Sequence, residues 1–391
     1  MSNTKLIILA VVAYVTVLLS GILAGILGIV SNKQTVRSNE PAYLIQGLDP
    51  DKIGAIILGT GEDKVNFKRQ GRGFVVASKE NYPAKTSEVN SLISKCLEIK
   101  TNELITDDSK NHEDLEVTED KARTVVKFMT SDPNSELLAG VVVGKTEELG
   151  RGAYVRLLSS DSKVSDRVLS SPDVPWISDG ATSYIEQELI SAKSDEIESV
   201  TVGSPKGEFT LKKAQDGDDP VLVDMPAGKQ LKTSDARSIL TALTSLRFDD
   251  VKKKPSEMTF DRHYICILKN STEYTLRIAK QDDKTYIACT ARFTDTTPVE
   301  KKPGVVESEE ELKAKEAKLL AHEAANTFRA KHESWLYEIP DYKAKNLTKD
   351  LADLLEDVEP EEEAAPADPN AIVPDLVNEP LSVDPNAATI K

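Results

Sequence analysis

Four histidines are the side chains of this sequence with the plainest capacity for chemistry: His112, His263, His322 and His332. His322 opens the run His-Glu-Ala-Ala-Asn, which begins like the zinc-protease motif H-E-x-x-H. Position 326 is Asn, so the second imidazole one helical turn further on is missing, and His332 falls on a different helix face. His263 starts an apolar, strand-like run and is interpreted as an ordinary edge residue. The spacing therefore predicts no metal site.

A glycine pair, Gly59-Thr60-Gly61, follows a strand-like run as a phosphate-binding loop would. It lacks the G-K-[ST] ending and leads into a second strand, so no helix N-terminus is available to an anion. A hairpin turn explains both glycines. The sequence contains no G-x-S-x-G elbow, and its carboxylates lie in charged, turn-rich runs such as Asp216–Asp219. We therefore predict no catalytic, cofactor-binding or metal-ligating residue.

Charge and cysteine content narrow the function classes further. The formal net charge is −16, and the segment from Glu356 onward holds ten acidic residues against one lysine. The remainder is mildly acidic, which argues against nucleic acid as a partner because phosphate binding needs a basic surface. Cys96, Cys266 and Cys289 lie in apolar runs and are interpreted as small buried residues. A Cys266–Cys289 bridge between neighbouring strands stays open as an alternative.

The elements that would position any site follow from hydrophobic periodicity. Val65 and Phe67 alternate with polar residues as in a strand, whereas the apolar residues after Thr86 follow helical spacing. Up to residue 190 we predict a helix from Thr86, a second helix through Tyr184–Leu189, and strands at Ile53–Leu58, Lys64–Lys68, Phe74–Ala77, Arg123–Met129, Leu137–Val143 and Tyr154–Leu158.

The same order of elements then begins again, which indicates an internal duplication. Matching pairs are Ile53 and Ile197, Gly59 and Gly203, Phe67 and Leu211, Thr86 and Thr233, and Trp176 and Trp335. The second copy is predicted to hold strands at His263–Leu268, Tyr274–Ala279 and Tyr286–Cys289. We call residues 49–190 the first repeat and residues 191–355 the second repeat.

A charged helical run, Glu307–His332, interrupts the second repeat only. Leu312, Leu319, Leu320, Ala324 and Phe328 form a narrow apolar seam on it. Such a seam suits a helix laid over a domain edge or against a partner. The alternative, which we favour, is a solvated helix that packs modestly on its own domain.

The N-terminal run Leu6–Val30 contains no charged residue and is long enough to span a bilayer. A cleaved signal peptide has a shorter apolar core, so we expect an uncleaved membrane anchor. A short tail before a long domain is the usual layout of a signal anchor with its N-terminus inside the cell. Gly21 and Gly25 form a G-x-x-x-G pair, which leaves a homodimer open.

The predicted organisation is thus a cytoplasmic N-terminus (1–5), a transmembrane helix (6–30), a linker (31–48), the two repeats, and a disordered acidic tail (356–391). Within the second repeat, residues 305–332 form a helical insertion. The tail is rich in Pro, Ala and acidic residues, and it buries too little apolar surface to offset the entropy of ordering.

Several short motifs, together with this order, resemble the bacterial domain of unknown function four-three-four-zero. They are Phe74–Val76, Tyr82–Ala84, Ser87–Ile93, Gly144-Lys145 and Gly152–Arg156, and the resemblance covers roughly residues 45 to 350. Where the first strand pair usually leads to a Trp, this chain has Phe74. The resemblance implies a membrane-anchored accessory protein, often encoded beside gliding-type ABC transporter components, and it supplies no catalytic residues.

From these observations we expect an α+β protein: one N-terminal transmembrane helix, then two related domains, each an antiparallel sheet with a packed helix. The expected location is the cell inner membrane, with the large domain in the periplasm. The expected function is that of a non-enzymatic accessory or interaction protein, with no cofactor and with protein partners in an ABC-transporter-like complex. The alternative is an envelope hydrolase or a ligand-binding module that uses the cleft between the two repeats.

Overall fold

The computed structural model describes residues 42–131, 135–148, 150, 152–214, 219–299 and 307–358. Two large antiparallel sheets with packed helices make up this part of the chain, which confirms the predicted antiparallel α+β character. The predicted transmembrane helix at residues 6–30 lies outside the described residues. Among those that are described, no helix combines the length and apolar character needed to span a membrane.

The first repeat is dominated by strands, with one long helix. In chain order the elements up to residue 190 are β1 (Ala42–Tyr43), which precedes the first repeat, then β2 (Ala55–Leu58), β3 (Val65–Gln70), β4 (Gly73–Val76), β5 (Tyr82–Pro83), α1 (Thr86–Leu97), β6 (Lys100–Thr101), β7 (Leu104–Thr106), β8 (Thr124–Met129), β9 (Leu137–Thr146), β10 (Ala153–Leu158), α2 (Ser162–Ser165), β11 (Val168–Ser171) and β12 (Glu188–Ile190). Short 3-10 helices lie at Pro50–Lys52, Ala77–Lys79, Ser109–Asn111 and Ala181–Tyr184.

The second repeat begins with a 3-10 helix, Ser194–Glu196, and adds several helices near its end. Its elements are β13 (Ile197–Ser204), β14 (Gly207–Lys213), β15 (Pro220–Leu222), β16 (Lys229–Leu231), α3 (Thr233–Leu240), β17 (Leu246–Arg247), β18 (Asp250–Lys253), β19 (Arg262–Leu268), β20 (Thr272–Gln281), β21 (Lys284–Phe293), α4 (Glu309–His332), β22 (Trp335–Ile339), α5 (Asp341–Thr348), α6 (Leu351–Leu354) and β23 (Leu355–Asp357).

The two large sheets share one order of eight strands, and the first sheet has a ninth strand, β5, at its edge. The first has the order β5-β4-β3-β2-β8-β9-β10-β11-β7, and the second has the order β15-β14-β13-β19-β20-β21-β22-β18. From β4 onward each strand of the first sheet has a counterpart at the same place in the second. The small two-stranded sheets β1-β6 and β12-β17 also correspond. The duplication inferred from the sequence is therefore visible as a repeated topology.

Local sequence explains the best-predicted elements. Val65 and Phe67 are buried on β3, while their neighbours are more exposed, as period-2 alternation requires. The β2–β3 hairpin needs left-handed backbone at its turn, and Gly59 (φ 84°) and Gly61 (φ 68°) supply it without a Cβ clash. Gly59 and Gly61 are thus turn residues, as predicted.

The repeats are joined by a cluster of buried aromatic rings, which we call the aromatic joint: Tyr82, Phe248, Trp335 and Tyr337. Tyr82 lies on β5 of the first repeat, and its ring centroid is 4.8 Å from that of Trp335 on β22. Its ring is also edge-on to those of Phe248 and Tyr337, at 6.1 and 6.3 Å. The two repeats therefore share one continuous hydrophobic core.

Two polar contacts flank the aromatic joint. Lys79 Nζ donates to Asp250 Oδ1 at 2.7 Å, and the backbone N–H of Lys253 donates to Glu80 Oε2 at 2.8 Å. These contacts bring the β5 edge of the first sheet beside the β18 edge of the second. The sheets consequently meet edge to edge, and aromatic side chains fill the space between them.

One predicted helix and two predicted segment boundaries are wrong. The helix expected through Tyr184–Leu189 is instead a 3-10 turn followed by β12, because Leu189 and Ile190 are buried in an extended pairing with β17. The predicted linker contains β1, and Leu44 and Ile45 after it are buried. The predicted acidic tail begins too early, since β23 pairs with β16; its residues from 359 onward lie outside the described residues.

The predicted equivalence of Trp176 and Trp335 is also wrong. Trp335 is the first residue of β22, whose counterpart in the first sheet is β11. Trp176 follows the end of β11, in the segment before the Ala181–Tyr184 turn. Trp176 is 75% exposed and Trp335 is 6% exposed, so the two indoles have different environments.

Candidate functional site

The histidines that might mark an active site are dispersed. His112 is buried, and its Nε2 lies 2.9 Å from the carbonyl oxygen of Asp166. His263 Nε2 lies 2.8 Å from Glu208 Oε2, a partner two strands away in the second sheet. Both imidazoles thus make structural contacts, and neither lines the clefts described below.

The H-E-x-x-H-like run lies on α4, with His322 Nε2 3.2 Å from Asn326 Nδ2. Across the described part of the chain, no group of three or more His, Cys, Asp or Glu side chains is arranged to hold a metal ion. The observed contact of His322 is with an amide, at the position where a zinc protease has its second imidazole.

The three cysteines are free and buried, as predicted for small core residues. Cys266 and Cys289 lie on β19 and β21, which are separated by β20, so the alternative of a bridge between them is not realised. Burial raises the pKa of the Cys96 and Cys266 thiols to about 12. A thiol with so high a pKa is almost entirely protonated near neutral pH and is a poor nucleophile.

The long helix α4 packs on β21 through a face that the sequence did not predict. Its buried side chains are Ala321, Ala325 and His332, and the half-buried Phe328 packs edge-on to Tyr274 of β20 at 5.1 Å. Of the predicted seam, only Phe328 contributes to this contact. Small alanines permit a close approach of helix to sheet, which explains why this face packs and the leucines do not.

The leucines of the predicted seam instead form an exposed surface, which we call the leucine face: Leu312, Leu319 and Leu320. Their exposed fractions are 53%, 55% and 57%. With Val299 they line an open groove of about 620 Å³ on the outer side of the helix. Glu316 and Glu323 border this groove, so its apolar floor has an acidic rim.

The two halves of α4 are held in place by different interactions. All of its buried side chains lie at or after Ala321, so the C-terminal half is anchored by packing. The N-terminal half is held by ion pairs: Lys318 Nζ lies 2.6 Å from Asp295 Oδ2, and Lys315 pairs with Glu307. A capping box at Ser308 and Glu311 begins the helix. The leucine face therefore lies on the part of the helix that the cap and the ion pairs hold in place.

His332 ends the packed face of α4 in an apolar environment. Its Nδ1 lies 2.6 Å from the Tyr337 hydroxyl, and its ring lies 4.4 Å from that of Phe328. Burial lowers the pKa of His332 to about 4, because a charged imidazole would lose its hydration there. His332 is therefore neutral at physiological pH and connects α4 to the aromatic joint.

Each of five clefts in the described part of the chain lies within a single repeat. Two clefts of about 580 and 70 Å³ are lined by first-repeat residues, and both include Trp176. Clefts of about 640, 210 and 620 Å³ are lined by second-repeat residues. The place between the repeats, where a ligand cleft was the alternative expectation, is occupied by the aromatic joint.

Comparison with known proteins finds one family model that matches part of the chain. The family model described as Domain of unknown function (DUF4340) matches residues 75–263. The match runs from β4 to β19 and so crosses the aromatic joint. It confirms the family resemblance found in the sequence. Neither the search of curated proteins nor that of solved structures gives a match.

Proposed function

We propose, from the match of residues 75–263 to the DUF4340 family model, that the chain is a membrane-anchored, non-enzymatic accessory protein of the bacterial envelope. The anchor is the uncharged run Leu6–Val30, which holds the protein in the inner membrane with the two repeats in the periplasm. The family resemblance supports an ABC-transporter-like assembly as the partner. The function of the two repeats is to present binding surfaces at the membrane.

The leucine face is the observation that carries this proposal. Three leucines more than half exposed on one side of a helix form a surface of the kind that partners cover. Leu312, Leu319 and Leu320 have the spacing with which one helix contacts another along its length. The acidic rim formed by Glu316 and Glu323 favours an occupant with positively charged side chains. The occupant is therefore a basic amphipathic helix of the partner.

Co-purification tests this proposal. The tagged full-length chain is recovered from its native membrane in mild detergent, after brief crosslinking, and compared with the triple variant Leu312→Ser, Leu319→Ser, Leu320→Ser. We expect a transporter-type partner with the wild-type chain and its loss with the triple variant. Because these side chains are largely exposed, each substitution is expected to change the free energy of unfolding by only about 0.5 kcal/mol.

A matched control is the double variant Val221→Ser, Tyr342→Ser, which removes apolar groups that are 48% and 63% exposed elsewhere on the second repeat. It is expected to retain the partner. Recovery of no transporter-type partner by the wild-type chain would contradict the proposed assembly, and equal recovery by the triple variant would contradict the role of the leucine face. A reporter fused after Lys391 that is active only in the cytoplasm would contradict the proposed orientation.

A further inference from the structure

An exposed tryptophan stands beside the cleft of about 580 Å³ in the first repeat, a volume typical of small-ligand sites. The β2–β3 turn, the start of β8 and the segment after β11 enclose it. Trp176 is 75% exposed, although tryptophan is usually well buried in folded proteins. We call this site the Trp176 cleft; its side chains of interest are Glu62, Asp63, Lys64, Arg123, Trp176 and Asp179.

Hydrogen bonds hold the backbone around Trp176, so the point from which the exposed indole projects is defined. Lys95 Nζ on α1 donates to the Trp176 carbonyl oxygen at 2.9 Å. The Tyr184 hydroxyl donates to the Ser178 carbonyl oxygen at 2.7 Å, and the buried Tyr184 ring is edge-on to Phe67. Such an arrangement lowers the ordering cost of binding, because the segment is fixed before a ligand arrives.

The charged side chains of the cleft are available for a ligand. Within the described residues, the side chains of Glu62, Asp63, Lys64, Arg123 and Asp179 have no hydrogen-bond or ion-pair partner. The three carboxylates and two cations have a net charge of only −1. The cleft therefore favours neither a phosphate nor a simple cation. These side chains supply both acceptors and donors around a flat aromatic face.

The equivalent place in the second repeat is closed. Asp350 lies in the segment after β22, with its Oδ2 2.7 Å from Lys206 Nζ in the β13–β14 turn and its Oδ1 2.9 Å from Arg262 Nη1. These two cations hold the pKa of the Asp350 carboxyl well below its usual range. The adjacent second-repeat cleft of about 640 Å³ is lined by charged and aliphatic side chains and two threonines, and by no aromatic ring among the described residues.

We propose that the Trp176 cleft binds a neutral oligosaccharide. An indole face packs against the C–H face of a sugar ring, and carboxylate, ammonium and guanidinium groups hydrogen-bond the hydroxyls around the ring edge. Trp176 is the stacking platform, Asp179 and Asp63 accept from hydroxyls, and Arg123 donates to them. The site serves recognition of a glycan, and it is independent of the leucine face.

Calorimetric titration of the full-length chain tests this inference. The chain is held in a zwitterionic detergent without a sugar headgroup, and the probes are chitotriose, cellotriose and maltotriose. We expect saturable binding of at least one probe, with a change in tryptophan fluorescence that arises from Trp176, since Trp335 is buried. Trp176→Ala is expected to weaken this binding by about tenfold or more, whereas Trp176→Phe, which keeps a ring, loses less.

Tyr342→Ala is the matched control, because it removes an exposed aromatic ring from the second repeat and is expected to bind as the wild type does. An unchanged melting temperature of Trp176→Ala would show that a loss of binding does not come from unfolding of the chain. Absence of saturable binding with all three probes would overturn the inference. So would wild-type affinity in Trp176→Ala. Neither result bears on the leucine face, which the co-purification experiment tests separately.

Discussion

The two repeats share a strand order, but the segment after β11 leaves a cleft open whereas the segment after β22 closes the equivalent place. In the first repeat this segment leaves a cleft open and holds Trp176 in solvent. In the second repeat the corresponding segment folds into α5 and α6, and Asp350 ties it to Lys206 and Arg262. The two repeats therefore kept the same sheet but differ in the connecting segments that cover it. Connecting segments are also where binding residues are commonly found.

The two sheets also differ at one edge. The first sheet ends in β5, which places Tyr82 into the second repeat, whereas β15 ends the second sheet without a counterpart of β5. Instead, β16 pairs with β23 from the end of the second repeat. The outer edge of the second sheet is therefore not a copy of the β5 edge that meets the other repeat.

The largest expected effect comes from removing the ring that joins the repeats. Tyr82→Ala leaves a cavity between Phe248, Trp335 and Tyr337, and we expect it to lower the free energy of unfolding by about 3–5 kcal/mol. Denaturant unfolding followed by near-ultraviolet circular dichroism measures this. Tyr43→Ala, at a site 49% exposed, is the control. Equal stabilities of the two variants would mean that the repeats are held together elsewhere.

The next effect depends on pH and concerns only the second repeat. The pKa of His332 is lowered from 6.5 to about 4, so between these values the unfolded chain binds a proton that the folded chain does not. Stability is unaffected above pH 6.5, falls as pH decreases through this window, and has lost about 3 kcal/mol by pH 4. His332→Gln should abolish this component of the pH dependence, and His322→Gln, on the exposed side of α4, should leave it unchanged.

A smaller effect is expected at the contact that closes the second repeat. Asp350→Asn weakens its charge-assisted bonds with Lys206 and Arg262, and we expect a loss of about 1–2 kcal/mol together with faster amide hydrogen exchange in α6. Asp357→Asn removes a pair with Lys229 whose carboxylate is 85% exposed, and it serves as the control. Unchanged exchange in α6 of Asp350→Asn would show that packing alone keeps this end closed.

The smallest effect is expected from the exposed tryptophan. Trp176→Ala should change the free energy of unfolding by less than about 0.5 kcal/mol, because the indole buries little surface. Trp335→Ala, by contrast, empties part of the aromatic joint and should cost about 3–5 kcal/mol. Unfolding of both variants under one set of conditions measures the difference. A large loss in Trp176→Ala would mean that its role is packing rather than binding.

Elements whose hydrophobic pattern is local and long enough to be distinctive could be predicted from the sequence alone. The β2–β3 hairpin follows from alternation and two turn glycines, and the buried face of α1 follows from helical spacing. The duplication was visible because both repeats keep these patterns in the same order. The prediction of buried cysteines also rested on local hydrophobicity.

Where distant segments compete to cover the same surface, local sequence patterns could not predict which of them is buried. Strands of two to four residues such as β7 and β18 carry too few positions for a periodic signal. Which indole is buried depends on Tyr82, which reaches Trp335 from the other repeat. Likewise α4 packs through alanines because the close approach to β21 excludes leucine. The leucine face and the Trp176 cleft are both surfaces that this packing leaves uncovered.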